Sequence, residues 1–222
     1  MIAEPAPRFR KPDILRMFPS FVWKGELNPE SRRPVNDSIL QVLDEIGAPL
    51  GDLKTGESWQ SDHGLHALPR LRQFAECLDE AAREVLGYLR IGDAGHRVTG
   101  CWANLNAPGA GHPTHSHPNN YLSGVYYVRT HPGADTVNFL DSRPQAGIIR
   151  PPVTELTAEN TEQVVVKVEP GTLLMFPAWL QHSVDRNASE HVRISLGFNL
   201  MFARYAETMA RPLWTPGRRP AL

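Results

Sequence analysis

The sequence predicts a mainly β protein, a sandwich or jelly roll with helices packed outside, and two observations carry this prediction. Residues 35–89 contain two stretches of helical periodicity, whereas from about residue 97 onward apolar and polar residues alternate with a period of two. The alternating runs are short and are separated by turns, and the chain holds 20 prolines. Helices followed by six or more short strands are typical of such a β architecture.

Two amphipathic helices are predicted in the N-terminal part. In the first, the apolar residues between 35 and 46 lie on one helical face, and Gly47 ends the helix. In the second, apolar residues recur every three or four positions over 71–89, with charged residues on the other side, so this helix packs on another element. The apolar segment 18–23 contains a proline, which limits it to an edge strand or a covering segment.

The strands are predicted in the second half of the chain. The expected strands are 98–105, 121–129, 136–140, 164–168, 172–176 and 191–202. A length of 222 residues fits one domain. We expect an N-terminal segment (1–95) that carries both helices, a jelly-roll core (96–203), and a loosely held tail (204–222).

Composition excludes several classes of protein. The net charge of −1 argues against nucleic-acid binding through overall charge, and no basic stripe with interleaved aromatics is visible. No stretch is apolar enough to cross a bilayer, and the first residues do not resemble a secretory signal. Two cysteines, Cys77 and Cys101, cannot form a disulfide framework. We therefore expect a cytoplasmic protein with reduced thiols that binds neither nucleic acid nor membrane.

Histidines are concentrated in residues 111–118, a predicted loop just before the strand 121–129. His115 and His117 are two positions apart, so on an extended chain both side chains point to one side and can chelate one metal ion. A polar loop whose histidines face water would show the same pattern. The pair by itself is therefore a weak signal.

A third histidine follows a second recognisable segment. The turn Pro170-Gly171 leads into the buried strand 172–176, the chain breaks at Pro177, and His182 follows. This order suits a metal ligand contributed by a sheet that neighbours the first pair. An ordinary core or surface histidine is the alternative.

The strand around Arg193 alternates between an apolar and a polar face. Ile194 and Leu196 lie on the apolar face, whereas Arg193 and Ser195 lie on the other. An unpaired buried guanidinium is costly. A bound carboxylate is a suitable partner, because arginine offers a planar fork and serine a further donor. If this face were solvated, no ligand would be required.

Taken together and in this order, the segments resemble the Fe(II)/2-oxoglutarate-dependent oxygenases and, more narrowly, a bacterial and phage family of such enzymes. The matching stretches are His115–Val128, Val137–Arg143, Pro170–Ser183, Asn187 and Arg193–Asn199. The resemblance covers about residues 97–202, with a weaker match at the N-terminal Phe/Trp segment.

The resemblance implies a double-stranded β-helix, a cupin-like jelly-roll barrel with the N-terminal helices packed against one sheet. It also implies Fe(II) as cofactor, 2-oxoglutarate as cosubstrate, and oxidation of a substrate, by default hydroxylation, with release of succinate and CO2. His115 and His182 would be metal ligands, and Arg193 would pair with the far carboxylate of 2-oxoglutarate.

Further residues are expected in the cosubstrate site because of their positions on strands. Asn104 and Asn106 lie on the strand before the metal loop, where the family often places polar groups that bind the cosubstrate. Tyr126 and Ser195 carry hydroxyls on strands that should flank the barrel interior, although Tyr126 fits a packed core position equally well.

The third metal ligand departs from the family pattern, which usually has Asp or Glu where this chain has His117. Three interpretations are open: His117 is the third ligand, only two protein ligands exist and water or another group takes the third place, or Asp141 substitutes. We prefer His117 because it stands at the correct spacing, whereas Asp141 depends on a contact in the fold. Asp141 could instead pair with Arg143.

Two other functions are compatible with the same residues. A cupin-like dioxygenase or isomerase would use the metal without 2-oxoglutarate, and Arg193 would then bind the substrate. Cupins usually have a Glu after the histidine pair, whereas this chain has Tyr121 at about that position. A non-catalytic jelly-roll binding module would hold no stoichiometric iron.

We expect a small-molecule or peptide substrate selected by residues 1–70 and 142–163. A homodimer through the apolar segment 18–23 is a further expectation.

Overall fold

The computed structural model describes residues 11, 13–92, 95–143 and 148–208. This part of the chain forms two antiparallel β-sheets and three α-helices. The elements in chain order are β1 (Trp23–Glu26), α1 (Pro29–Glu45), β2 (Ser58–Gln60), α2 (Arg72–Tyr88), β3 (His96–Asn106), β4 (His112–His115), β5 (Leu122–Arg129), β6 (Thr136–Leu140), β7 (Gln163–Lys167), β8 (Thr172–Pro177), β9 (His182–Val184), β10 (Arg193–Phe202) and α3 (Ala203–Thr208).

The strands form one large and one small sheet. The large sheet has the order β1-β8-β5-β10-β3-β2, and the small sheet has the order β4-β9-β6-β7. Most neighbouring strands are not consecutive in the sequence, which is typical of a jelly roll rather than a meander. This confirms the predicted double-stranded β-helix with N-terminal helices outside the barrel.

Both ends of α1 follow from local sequence. Asn28 precedes the helix, and its side-chain oxygen accepts a hydrogen bond of 2.9 Å from the backbone N–H of Ser31. Pro29 occupies the first helical position, where a missing N–H costs nothing. Gly47 follows the helix with a φ of +70°, a left-handed conformation that favours glycine.

The helices cover the outer face of the large sheet. The buried side chains of α1 and α2 share one apolar cluster with every second residue of the central strands. Its members include Ile39, Leu43, Phe74, Leu78, Leu105, Tyr126, Met175, Leu196 and Phe198. Complete burial of one such large apolar side chain contributes about 1.5–3 kcal/mol, so this layer holds the sheet rigid behind the site.

The inner face of the large sheet meets the small sheet. One part of this interior is apolar, where Tyr127 and Phe176 of the large sheet share a cluster with Val137 and Phe139 of the small sheet. Another part is polar, because β3 and β10 place buried asparagine, arginine and serine side chains at neighbouring positions. The polar part of the interior is the candidate site.

The structure adds elements that periodicity did not predict. β2, β4 and β9 are only three or four residues long, which is too short for an alternating pattern to stand out. The apolar segment 18–23 leads into β1, which forms one edge of the large sheet.

Most of the predicted tail, residues 209–222, lies outside the described residues. None of the helices in the described residues has the length and apolar character that a membrane crossing requires.

Candidate metal centre

Three imidazoles converge at the edge of the small sheet. β4 and β9 are antiparallel, and their register places His115 opposite His182. His117 follows β4, and its backbone N–H donates a hydrogen bond of 2.9 Å to the carbonyl oxygen of Ala178. One ring nitrogen of each histidine lies within 4.8 Å of the other two, and within the described ranges no other set of three His, Cys, Asp or Glu side chains has this spacing.

Backbone carbonyls set the tautomers of two of these histidines. The Nδ1 atoms of His115 and His182 lie 2.9 Å and 3.0 Å from the carbonyl oxygens of Pro113 and Leu180. Because a carbonyl oxygen only accepts hydrogen bonds, each Nδ1 carries the proton. Each Nε2 therefore presents a lone pair, and this is the usual arrangement of metal-bound histidines.

Burial keeps two of the three histidines uncharged. Desolvation, with a smaller contribution from the neighbouring imidazoles led by His182, lowers the pKa of His117 to about 3. Desolvation also lowers the pKa of His182 to about 4, although the carbonyl of Leu180 acts in the opposite direction. Both rings are therefore neutral near pH 7, which is the form that binds a metal ion.

Asp141 is not part of this cluster. It follows β6, and its carboxylate accepts hydrogen bonds from the Nε of Arg143 at 3.0 and 3.1 Å. The hydrogen bonds from Arg143 hold the pKa of the Asp141 carboxyl below its usual range. Of the candidates for a third protein ligand, the structure brings His117 to the other two histidines and pairs Asp141 with Arg143. That His117 binds the metal stays a prediction.

Arg193 is buried on the inner face of the large sheet with unsatisfied donors. It is 2% exposed, and its Nη2 donates a hydrogen bond of 2.9 Å to Oδ1 of Asn106. Its Nε and Nη1, and the Nδ2 of Asn106, are buried without a hydrogen-bond partner. Unpaired buried donors are costly, and a carboxylate is the usual partner of a guanidinium with free donors. The site therefore fits a bound carboxylate such as that of 2-oxoglutarate.

His112 is a fourth histidine near this cluster, and sequence reasoning did not single it out. The centres of the His112 and His115 rings are 6.1 Å apart. Burial, the positive charge of Arg193 and His115 all lower the pKa of His112. On a regular strand, residues three apart point to opposite faces. An irregular register between His112 and His115 brings the two rings together, and no sequence signal indicated it.

Two further predicted residues lie beside Arg193, and one does not. Ser195 and Asn104 are buried and are partners across β10 and β3, on the same face as Arg193. Tyr126 faces the helices instead, and its hydroxyl donates a hydrogen bond of 2.7 Å to Oδ1 of Asn36. Of the two interpretations left open for Tyr126, the packed core position is the observed one, and the placement in the cosubstrate site is wrong, because the side chain lies on the helix side of the sheet.

Tyr127, the next residue, takes the interior position instead. It belongs to the apolar cluster between the two sheets and is opposite Ser195 in the register of β5 and β10. Burial raises the pKa of Tyr127 to about 12, and the nearby charge of Arg193 acts in the opposite direction. Sequence reasoning missed this residue.

Replacing Tyr126 with Phe is expected to lower the free energy of unfolding by about 1 kcal/mol, because the Asn36 oxygen loses its donor. Binding of 2-oxoglutarate should not change, since Tyr126 lies on the far side of the sheet. Urea unfolding followed by circular dichroism and a cosubstrate titration measure the two effects. A large loss of cosubstrate affinity at unchanged stability would contradict this placement.

The chain is similar to known proteins over its β core. Residues 100–199 match the family described as "Putative 2OG-Fe(II) oxygenase". No curated protein matches the sequence. Because the match spans β3 to most of β10, it includes the three histidines and Arg193.

Several solved structures share the fold. They include the non-heme alpha-ketoglutarate-dependent carbocyclase SnoK from nogalamycin biosynthesis, with a TM-score of 0.61, 15% identity, and coverage of 83% of this chain and 80% of SnoK. HygX from Streptomyces hygroscopicus, with nickel, 2-oxoglutarate and hygromycin B bound, has a TM-score of 0.54, 16% identity and 82% coverage of both chains. A prolyl hydroxylase from Trichoplax adhaerens, in complex with a peptide fragment of the hypoxia-inducible factor oxygen degradation domain, has a TM-score of 0.57, 13% identity, and coverage of 86% of this chain and 87% of its own.

Proposed function

We propose that the protein, whose residues 100–199 match the family described as "Putative 2OG-Fe(II) oxygenase", is a 2-oxoglutarate-dependent non-haem iron oxygenase that oxidises its substrate at a three-histidine centre. The ligands are the Nε2 atoms of His115 and His182 together with a ring nitrogen of His117. Arg193 is the residue that binds the far carboxylate of the cosubstrate.

The observation that carries this proposal is the pair of unsatisfied donors on buried Arg193. In a cupin-like enzyme without 2-oxoglutarate, the same donors of Arg193 would bind the substrate instead. A carboxylate placed against the guanidinium, bridging Nη2 and one of the two free nitrogens, relieves part of this cost. The hydrogen bond from Nη2 to Oδ1 of Asn106 orients the guanidinium.

The protein orients the ligand side chains, keeps imidazole lone pairs available for the metal ion, and excludes water from one side of the centre. Fe(II) and 2-oxoglutarate, when bound, supply the oxidising chemistry, with succinate and CO2 as coproducts. The carbonyls of Pro113 and Leu180 keep the two Nε2 lone pairs available. The rings of Phe139 and Phe176 lie 6.1 and 4.8 Å from that of His182 and keep that side of the centre apolar.

A third neutral imidazole in place of a carboxylate leaves the metal centre more positive by one charge. This difference changes the redox behaviour of a bound iron. It also strengthens attraction for anionic ligands at the remaining positions. Arg193 adds a further positive charge in the same interior, and both effects favour a dianionic cosubstrate.

The substrate is proposed at the level of class. HygX was solved with hygromycin B and the prolyl hydroxylase with a peptide, and we propose that a small molecule or a peptide is oxidised here. The indole of Trp102 lies beside the histidine cluster, with its ring centre 5.8 Å from that of His117. It would form part of an aromatic wall for that substrate. A homodimer through the segment 18–23 stays a prediction.

An anaerobic titration tests the proposal without knowledge of the substrate. The apoprotein is loaded with Fe(II) under argon, 2-oxoglutarate is added, and the visible metal-to-ligand charge-transfer band is followed. The band is expected to appear and to saturate near one equivalent of iron. Iron binding without the band would favour the cupin-like function, and absence of iron binding would favour a non-catalytic module. The variant His182→Ala is the matched control and should give no band.

A further inference from the structure

The three histidines of the metal centre are not held alike. His115 and His182 each donate Nδ1–H to a backbone carbonyl oxygen, which fixes the tautomer and the ring plane. Among the hydrogen bonds of the described residues, none involves a ring nitrogen of His117. Only its backbone N–H is bonded, to the oxygen of Ala178. The ring of His117 is therefore oriented by packing alone.

Three rings pack against His117: the imidazoles of His115 and His182, with ring centres at 5.0 and 5.2 Å, and on another side the indole of Trp102. The ring centres of Trp102 and His117 are 5.8 Å apart with an interplanar angle of 49°. The same indole is stacked on His63, with ring centres 4.6 Å apart and an angle of 26°. Trp102 is only 8% exposed. Its ring therefore has little freedom to move, and it restricts the ring of His117.

The place of Trp102 depends on the absence of a side chain at Gly197. The two residues are partners across β3 and β10. A Cβ atom added to Gly197 would lie 2.8 Å from Cε2 and from Cζ2 of the indole, which is closer than carbon atoms tolerate. Any larger residue at position 197 therefore displaces Trp102, and with it the surface against which His117 rests.

We propose that Trp102 is a positioning residue for His117, and that His117 is the detachable ligand of the centre whereas His115 and His182 are its permanent ligands. This inference rests on the proposed three-histidine site. His117 could release a metal ion without loss of a hydrogen bond of its ring, and this would leave its coordination position to another ligand. Release of a metal ion by His115 or His182 would also break the hydrogen bond between the ring and the backbone carbonyl oxygen that orients it.

The first test compares single histidine variants by anaerobic titration with Co(II), whose visible absorption reports coordination geometry. His115→Ala and His182→Ala are expected to weaken Co(II) binding more than about 100-fold, and His117→Ala about tenfold or less with a changed spectrum. An equal loss for His117→Ala and His115→Ala would overturn the assignment of a detachable ligand. If His115→Ala and His182→Ala bind Co(II) as tightly as the unaltered protein, the three-histidine site itself is wrong.

The second test changes the indole while all three histidines stay. Trp102→Ala and Gly197→Ala are expected to shift the Co(II) spectrum and to weaken binding by about three- to tenfold, and Trp102→Phe should restore most of both. Trp59→Phe is the matched control, because Trp59 is partly buried against the helix-side cluster, and its spectrum should not change. Far-ultraviolet circular dichroism verifies that each variant is folded. A folded Gly197→Ala or Trp102→Ala protein with an unchanged spectrum and affinity would overturn the positioning role.

Discussion

Replacing Arg193 with Ala is expected to weaken 2-oxoglutarate binding by roughly 30-fold to several thousand-fold, since truncating one member of a buried charge pair costs about 2–5 kcal/mol. Fe(II) affinity should stay within about threefold, because Arg193 is not one of the proposed ligands and acts on the metal ion only through its charge. The amplitude of the charge-transfer band as a function of 2-oxoglutarate concentration measures the first quantity, and an iron titration measures the second.

Two matched variants sharpen this experiment. Arg193→Lys keeps the positive charge but loses the planar fork, so its affinity should fall between those of the unaltered protein and Arg193→Ala. Arg70→Ala removes an exposed arginine paired with Glu45, and it should leave 2-oxoglutarate affinity unchanged. An Arg193→Ala protein with normal cosubstrate affinity would show that another residue binds the far carboxylate.

Replacing Gly124 with Ala is expected to lower the free energy of unfolding by about 3 kcal/mol or more. Gly124 lies in β5 between β8 and β10, and a Cβ atom there would lie 2.4 Å from the backbone oxygen of Leu174 and 2.3 Å from Cζ of Phe198. The backbone atom cannot move without distorting the sheet. A melting temperature lower by roughly 6–12 °C should follow, measured by differential scanning calorimetry of the apoprotein.

Gly87→Ala is the control for the same chemical change. Gly87 lies in α2, and no heavy atom would come within 4 Å of an added Cβ atom. Alanine has the higher helix propensity, so this variant should be unchanged or more stable by up to about 1 kcal/mol. Gly124→Ala with the stability of the unaltered protein would mean that β5 and β8 are not packed as closely as described.

The alternation of residues along the strands predicted most of the core correctly, because a strand has a strict period of two. Arg193 and Ser195 were assigned to one face of their strand, and the structure confirms that they share the interior face. The same rule could not decide between Tyr126 and Tyr127. Both faces of β5 are buried, one by helices and one by the small sheet, so the pattern contains no polar face that would identify the interior.

Sequence periodicity does not predict the short strands. β4 has only four residues and includes a proline, and such a sequence pattern is typical of a loop. Its irregular pairing with β9 places the rings of His112 and His115 close together. A register irregularity depends on the partner strand, which is about 70 positions away in sequence, and no local pattern can indicate it.

Spacing along the chain predicts the candidate ligands, because it limits which side chains can chelate one ion. The resemblance to the Fe(II)/2-oxoglutarate-dependent oxygenases came from the matching stretches around His115, His182 and Arg193 and from their order. The groups that hold these side chains follow only from the tertiary structure. The pairing of Asp141 with Arg143, the carbonyls that fix two of the three imidazoles, and the contact of Trp102 with His117 all join atoms whose distances are set by packing between strands. Packing of this kind depends on the whole sheet, and periodicity in the chain does not contain it.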